Sequence, residues 1–186
     1  MPTDWSRDGQ YILYRVMKET RSDLWVLPVG SGQAPFRFLE TPFDEREGQF
    51  SPDGRWVAYQ SDESGRYQIY LRPFPRPGES IPVTVEGGTQ PRWRRDGREL
   101  FYLSSDEKLV AVPITLNSTG APQLSSPIAL FQTRISGGAV PGANRQQYDV
   151  SPDGQQFLMS VSVVDADVPP ITMVLNWNPP TARSAR

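Results

Sequence analysis

The sequence predicts an all-β fold made of about four repeated units, each of about four short antiparallel strands. Three observations predict it. An Asp-Gly pair recurs at Asp8-Gly9, Asp53-Gly54, Asp96-Gly97 and Asp153-Gly154, with successive copies 45, 43 and 57 residues apart. Large apolar residues recur around each pair in three columns: Trp5, Phe50, Trp93 and Val150 three residues before the Asp; Ile12, Val57, Leu100 and Phe157 four after it; Tyr14, Tyr59, Tyr102 and Met159 six after it. Finally, 19 prolines and 15 glycines are spread along the 186 residues instead of pooled, which cuts the chain into short elements and argues against long helices.

Each unit is built outward from its turn. In S-P-D-G the proline presets φ for the second turn position, Asp bonds locally at the third, and Gly accepts the positive φ that lets the chain reverse. The copies at Ser6 and Arg94 lack the proline and keep the Asp-Gly pair. A β-rich run follows each turn: YILYRV, WVAYQS, ELFYLSS and QFLMSV. Their alternation is poor, as expected of strands covered on both faces. A second run comes next, at 23–29, 67–74, 108–114 and 171–177, and in the first two copies Pro28 and Pro73 mark its end. Outer runs then appear as FRFLET, SIPVTV and PIALFQT. Four short strands in some 43 residues are the signature of a propeller blade. The expected blades span about 1–45, 46–88, 89–133 and 144–178, with a loop at 134–143 and a disordered tail at 179–186.

The stretches FSPDGRWVAYQSDESGRYQIYLRPF and DVSPDGQQFLM resemble the blades of TolB-like propellers, the WD40-like repeats named for the Pro-Asp of this turn. The resemblance covers nearly the whole chain. The closing YDVSPDGQQFLM followed by ITMVLNW is also similar to the last blade of long bacterial proteins in which a propeller follows a kinase or a DNA-binding regulatory domain. It implies a non-catalytic module that binds or senses a protein or peptide, as the C-terminal part of a larger signalling protein. A glycosidase-like propeller hydrolase and a TolB-like periplasmic scaffold are the alternatives.

Only four residues precede Trp5, so the innermost strand of the first unit is expected to be clipped, and NPPTARSAR after Trp177 offers no outer strand to the fourth. An incomplete propeller follows: a fragment of a larger ring, a half-ring completed by another copy, or an open stack. Its unpaired edges invite self-association.

Composition narrows the chemistry. A net charge of −2 provides no field to gather nucleic acid or an anionic membrane, and neither partner is expected. With no cysteine and no histidine, thiol and Ser-His-Asp machinery are excluded. No nucleophile elbow or kinase motif occurs, so no catalytic residue, metal site or cofactor is expected; a hydrolase would need a pair of carboxylates facing each other across the channel. No run reaches the length of a membrane span, and MPTDWSRDGQ lacks a signal-peptide pattern. The chain as written predicts a cytoplasmic location, with the periplasm open to a longer parent.

Propellers usually bind ligands at the mouth of the central channel, by analogy of fold. The loops expected there hold Glu45, Arg46, Glu47 and Gln49 before the second turn, Gln90 and Arg92 before the third, and Arg145, Gln146 and Tyr148 before the fourth. Their mixture of charges, amides and a tyrosine suits a peptide or protein segment. In RWRRDGR, Trp93 falls in a core column, which leaves its arginines as turn residues instead of a nucleic-acid patch.

Overall fold

The computed structural model describes residues 1–76, 78–117, 120–135, 146–161 and, as backbone, 171–174. They form four antiparallel sheets in sequence order. The first unit is β1 (Pro2–Trp5), β2 (Tyr11–Lys18), β3 (Arg21–Pro28) and β4 (Phe36–Leu39), hydrogen-bonded in that order. The second is β5 (Glu45–Phe50), β6 (Trp56–Ser61), β7 (Gln68–Pro73) and β8 (Ile81–Pro82), ordered in the same way. In the third, β9 (Thr89–Trp93), β10 (Glu99–Leu103) and β11 (Lys108–Thr115) are flanked by two short outer strands, β12 (Gln123–Leu124) and β13 (Ile128–Gln132), both paired to β11. The fourth shows β14 (Tyr148–Val150), β15 (Phe157–Ser160) and β16 (Ile171–Val174) among the described residues. The expected tail and most of the expected loop at 134–143 lie outside the described residues.

The turns form for a reason the proline argument missed. Ser51 Oγ donates to Asp53 Oδ1 at 2.6 Å and accepts from the Trp56 N–H at 2.9 Å, while Gly54 at φ 69° donates its N–H to Ser51 O. Ser6 and Ser151 repeat the arrangement around Asp8 and Asp153. Here the serine hydroxyl ties both ends of the reversal together, as short polar side chains do in turns. The third turn has Arg94 in place of the serine, and its guanidinium reaches Asp96 and Glu99 instead.

The expected clipping of the first strand is corrected. β1 pairs β2 through Pro2↔Tyr14, Asp4↔Leu13 and Trp5↔Ile12, and the Met1 ammonium donates to Arg15 O at 2.8 Å, so the first sheet has all four strands.

Three apolar clusters lie between successive units. Leu13, Leu24 and Val26 of the first pack with Phe50, Val57 and Tyr59 of the second. Trp56, Ala58, Ile69 and Leu71 of the second pack with Trp93, Leu100 and Tyr102 of the third. Phe101, Leu103, Leu109 and Ala111 of the third pack with Tyr148, Phe157 and Met159 of the fourth. The three columns of the sequence therefore share one direction: from each unit they face the unit before. Burial follows neighbours. All six residues of β6 are buried, as expected for a strand covered on both faces, whereas in β2 only Leu13 and Arg15 are.

Candidate functional site

The first strands converge. β1 touches β5, β5 touches β9 and β9 touches β14. Every residue expected to stand on a rim loop, where described, lies on one of these strands or just before β14.

Two tiers of polar side chains run across this wall. In the tier four residues before each turn Asp, the Phe50 N–H donates to Asp4 Oδ2 at 2.7 Å and Gln49 Nε2 to Thr3 O at 2.9 Å. Arg92 Nη1 then donates to Gln49 Oε1 at 3.0 Å, Trp93 Nε1 to Gln49 O, and Arg92 Nε stands 3.9 Å from Asp149 Oδ1. The tier six residues before each turn Asp holds Glu47, Gln90 and Gln147. Glu47 and Gln90 have left-handed backbones at φ 50° and 56°, each beside a register shift in its strand. Such a bulge re-aims side chains at the price of a conformation that L residues avoid. The Gln90 N–H is capped by Gln60 Oε1 at 2.9 Å, Gln147 N–H donates to Gln90 Oε1 at 2.7 Å, and Gln90 Nε2 returns a bond to Gln147 Oε1. Tyr148 Oη donates to Gln90 O at 2.9 Å, and Gln146 Nε2 reaches Pro91 O. With the Gln90 amide and the Arg92–Asp149 ion pair as exceptions, these bonds share a polarity: the later unit donates and the earlier accepts.

Most of the expected site residues are therefore ties within the wall. Glu47, Gln49, Gln90 and Tyr148 are all buried, and burial pushes the Tyr148 phenol up. Arg46 pairs with Asp44 at 2.5 Å and lies 5.8 Å over the Tyr67 ring. Burial tends to raise the Asp44 carboxyl, but Arg46 and the Tyr67 hydroxyl hold it below its ordinary value. Glu45 is buried beside Thr41, which donates to it; burial, with Asp23, Asp44 and Glu63 nearby, pushes its carboxyl up to about 7. Burial also raises Asp4 and Glu47. Arg145 lies outside the described residues.

Arg92 and Gln146 differ from the rest because they also border open space. With Asp149, Leu158 and Ser160 they line a hollow of about 370 Å³ against the fourth unit. Gln146 Oε1 is buried there without a hydrogen bond among the described residues, and the Asp149 side chain is 69% exposed. The sequence reading missed Asp4, Arg15, Gln60, Gln147 and Asp149. A signal existed: each falls at a fixed offset from the turn Asp, in polar columns that run beside the apolar ones. The Trp93 expectation holds, at 8% exposure in the core.

Solved structures with the same arrangement decide the architecture. TolB from Acinetobacter baumannii superposes with a TM-score of 0.62 at 17% identity, over 88% of this chain and 37% of that one. The β-propeller domain of Cps50 (Swd1) from Myceliophteria thermophila gives 0.54 at 14% identity, over 91% of this chain and 54% of that domain. The fold is a β-propeller. Its four sheets superpose on blades of the TolB and Cps50 propellers, and the described residues make an incomplete ring. No family model matches the chain. Among curated proteins, an uncharacterized protein of Agrobacterium fabrum, Atu1656, is 27% identical over 119 residues, 61% of this chain and 39% of its own length. The chain thus spans well under half of that relative and of the TolB structure. Among the described residues no helix is long and apolar enough to cross a membrane.

Proposed function

We infer that this propeller segment is a non-catalytic module that binds an extended segment of protein, and that it serves as the C-terminal sensing or docking part of a larger bacterial signalling protein. The hollow against blade 4 carries the reading. It offers Arg92 and Asp149 as charges, the unpaired Gln146 amide oxygen as an acceptor, and Leu158 as an apolar wall. An extended backbone supplies N–H and C=O groups in alternation, and a few convergent polar groups over an apolar floor suit it. The absence of histidine and cysteine from the sequence supports a binding role over acyl-transfer chemistry. The resemblance of its closing repeat to the last blade of regulator-linked propellers supports the signalling context.

Panning a library of displayed peptides on the chain tests the binding reading. Enrichment of peptides whose affinity falls at least about tenfold on Arg92→Ala or Gln146→Ala is the expected result. If no peptide enriches, or those that do bind both variants unchanged, the hollow is not the site.

A further inference from the structure

The four Asp-Gly turns differ in how they hold the aspartate. In the first, second and fourth a serine hydroxyl donates to the carboxylate: Ser6 to Asp8 Oδ1 at 2.6 Å, Ser51 to Asp53 Oδ1 at 2.6 Å and Ser151 to Asp153 Oδ1 at 2.5 Å. The second and fourth also place a proline just before the Asp, which stiffens the turn. The third has neither, because Arg94 and Arg95 stand in those two places. Arg94 does not replace the hydroxyl. Its Nε lies 3.4 Å from Asp96 Oδ1 and is buried without a hydrogen bond among the described residues, while its Nη1 is drawn to Glu99 Oε2 at 3.0 Å. Asp96 keeps the Arg98 N–H on Oδ1 at 3.0 Å and the Arg98 guanidinium at 3.9 Å from Oδ2, and its side chain is 39% exposed.

We propose that Asp96-Gly97 is the site at which this chain converts aspartate to isoaspartate. The glycine nitrogen attacks Cγ of the preceding carboxyl in its neutral acid form, an approach that a residue without Cβ leaves open. An N–C bond forms as the Cγ–OH bond breaks, and the hydroxyl leaves with the amide proton as one water. Water then adds back to the cyclic imide. At Cγ it restores aspartate, and at the main-chain carbonyl carbon it gives isoaspartate, so the net change is an isomerisation. A serine donor opposes the first step twice. It pins the carboxyl in the turn, and it holds Asp8 and Asp153 below their ordinary value, which leaves less of the neutral acid. At the third turn Gly97 is buried beside Leu116 and Pro52, so the attacking nitrogen stays in place and the carboxyl is the group left free to swing to it. Isoaspartate adds one carbon to the main chain between Trp93 and Leu100, which pair across β9 and β10, so the product loosens blade 3 on the strand that carries Gln90 and Arg92.

Incubating the folded 186-residue chain at neutral pH, and then digesting it with a protease that cuts before aspartate and not before isoaspartate, lets mass spectrometry follow each turn separately. Isoaspartate is expected to accumulate at Asp96 at least about tenfold faster than at Asp53 or Asp153, the factor that one lost hydrogen bond to a charged group gives. Asp8, with its serine and no proline, falls between them. In denaturant, where no turn is held, the four sites convert at comparable rates. Arg94→Ser slows Asp96 to the rate of Asp8, and Ser6→Ala raises Asp8 to the rate of Asp96, with circular dichroism checking that each variant stays folded. No conversion at Asp96, equal rates at the four folded turns, a faster rate at another turn, or a folded Arg94→Ser that leaves Asp96 unchanged overturns the proposal. Should Arg94→Ser not fold, a Ser6→Ala chain with Asp8 unchanged overturns it as well.

Discussion

Blades 1 and 2 carry the same signature residues in the same columns and end in opposite environments. Phe50 is 6% exposed and Trp5 is 60% exposed. Tyr59 lies buried in the core, and Tyr14 is half-buried on an open face. Aromatic residues at these positions thus encode a demand for a preceding blade, and what they contribute depends on whether one is there. For a stacked architecture, stability resides in the contacts between neighbours as much as within a sheet.

The sharpest way to break the comparison is to truncate both members of the first column. Phe50→Ala is expected to lower unfolding free energy in urea by about 3–5 kcal/mol, as a buried aromatic does, and Trp5→Ala by less than about 1 kcal/mol. Equal losses would show that blade 1 is covered in solution.

Charge separates the blades next. Glu45 sits where blade 2 meets blade 1, and its folded carboxyl, near 7, lies above the ordinary 4.5. The folded state therefore holds a proton that the unfolded state has released between those values. Stability from this group is fully present below about 4.5, falls as pH rises to about 7, and then levels, a loss on the order of 3 kcal/mol. Glu45→Gln should flatten denaturant-midpoint curves between pH 5 and 7, leaving the smaller slopes of Asp4 and Glu47, which shift in the same direction. An unchanged slope would remove Glu45 as its source.

Glycines sharpen the contrast between contact and turn. A Cβ on Gly48 would meet Leu13 Cδ2 at 2.5 Å and Leu24 Cδ1 at 3.1 Å across the blade 1–2 contact, so Gly48→Ala should cost about 1–3 kcal/mol by overpacking. Gly54 has open space around it and a φ of 69°, and Gly54→Ala should cost about 1 kcal/mol from backbone strain alone. A Leu13→Ala background should rescue the first and leave the second. The smallest effect runs the other way: Glu107 holds a φ of 62° in a turn one residue shorter, in which Ser104 donates to Asp106, and Glu107→Gly should raise the thermal midpoint slightly, by about 0.5 kcal/mol of stability.

The sequence carried the blades because their turns are local. S-x-D-G is satisfied within six residues, and the strands it joins follow in register. It did not carry the site, because the wall is made between blades. Glu47 and Gln90 look like loop residues in a linear reading; they become strand bulges only because Gln60 and Arg15 of the blade before stand against them. Tyr148 has the composition of a ligand contact and is used instead to reach Gln90 O, a bond 58 residues distant in sequence. β12 was also missed, since two residues beside a long β11 leave no periodicity to detect.

The shared polarity of the wall bonds bears on how this chain can be rearranged. Because the later blade donates and the earlier accepts, the joins behave like hooks that all open the same way. Swapping the order of blades 2 and 3 sets Gln49 after Arg92, whose guanidinium has no acceptor to offer, and puts Phe50, which has no ring N–H, in the place from which Trp93 donates, so that join loses its hooks. The order of the blades is therefore written into the wall as well as into the chain.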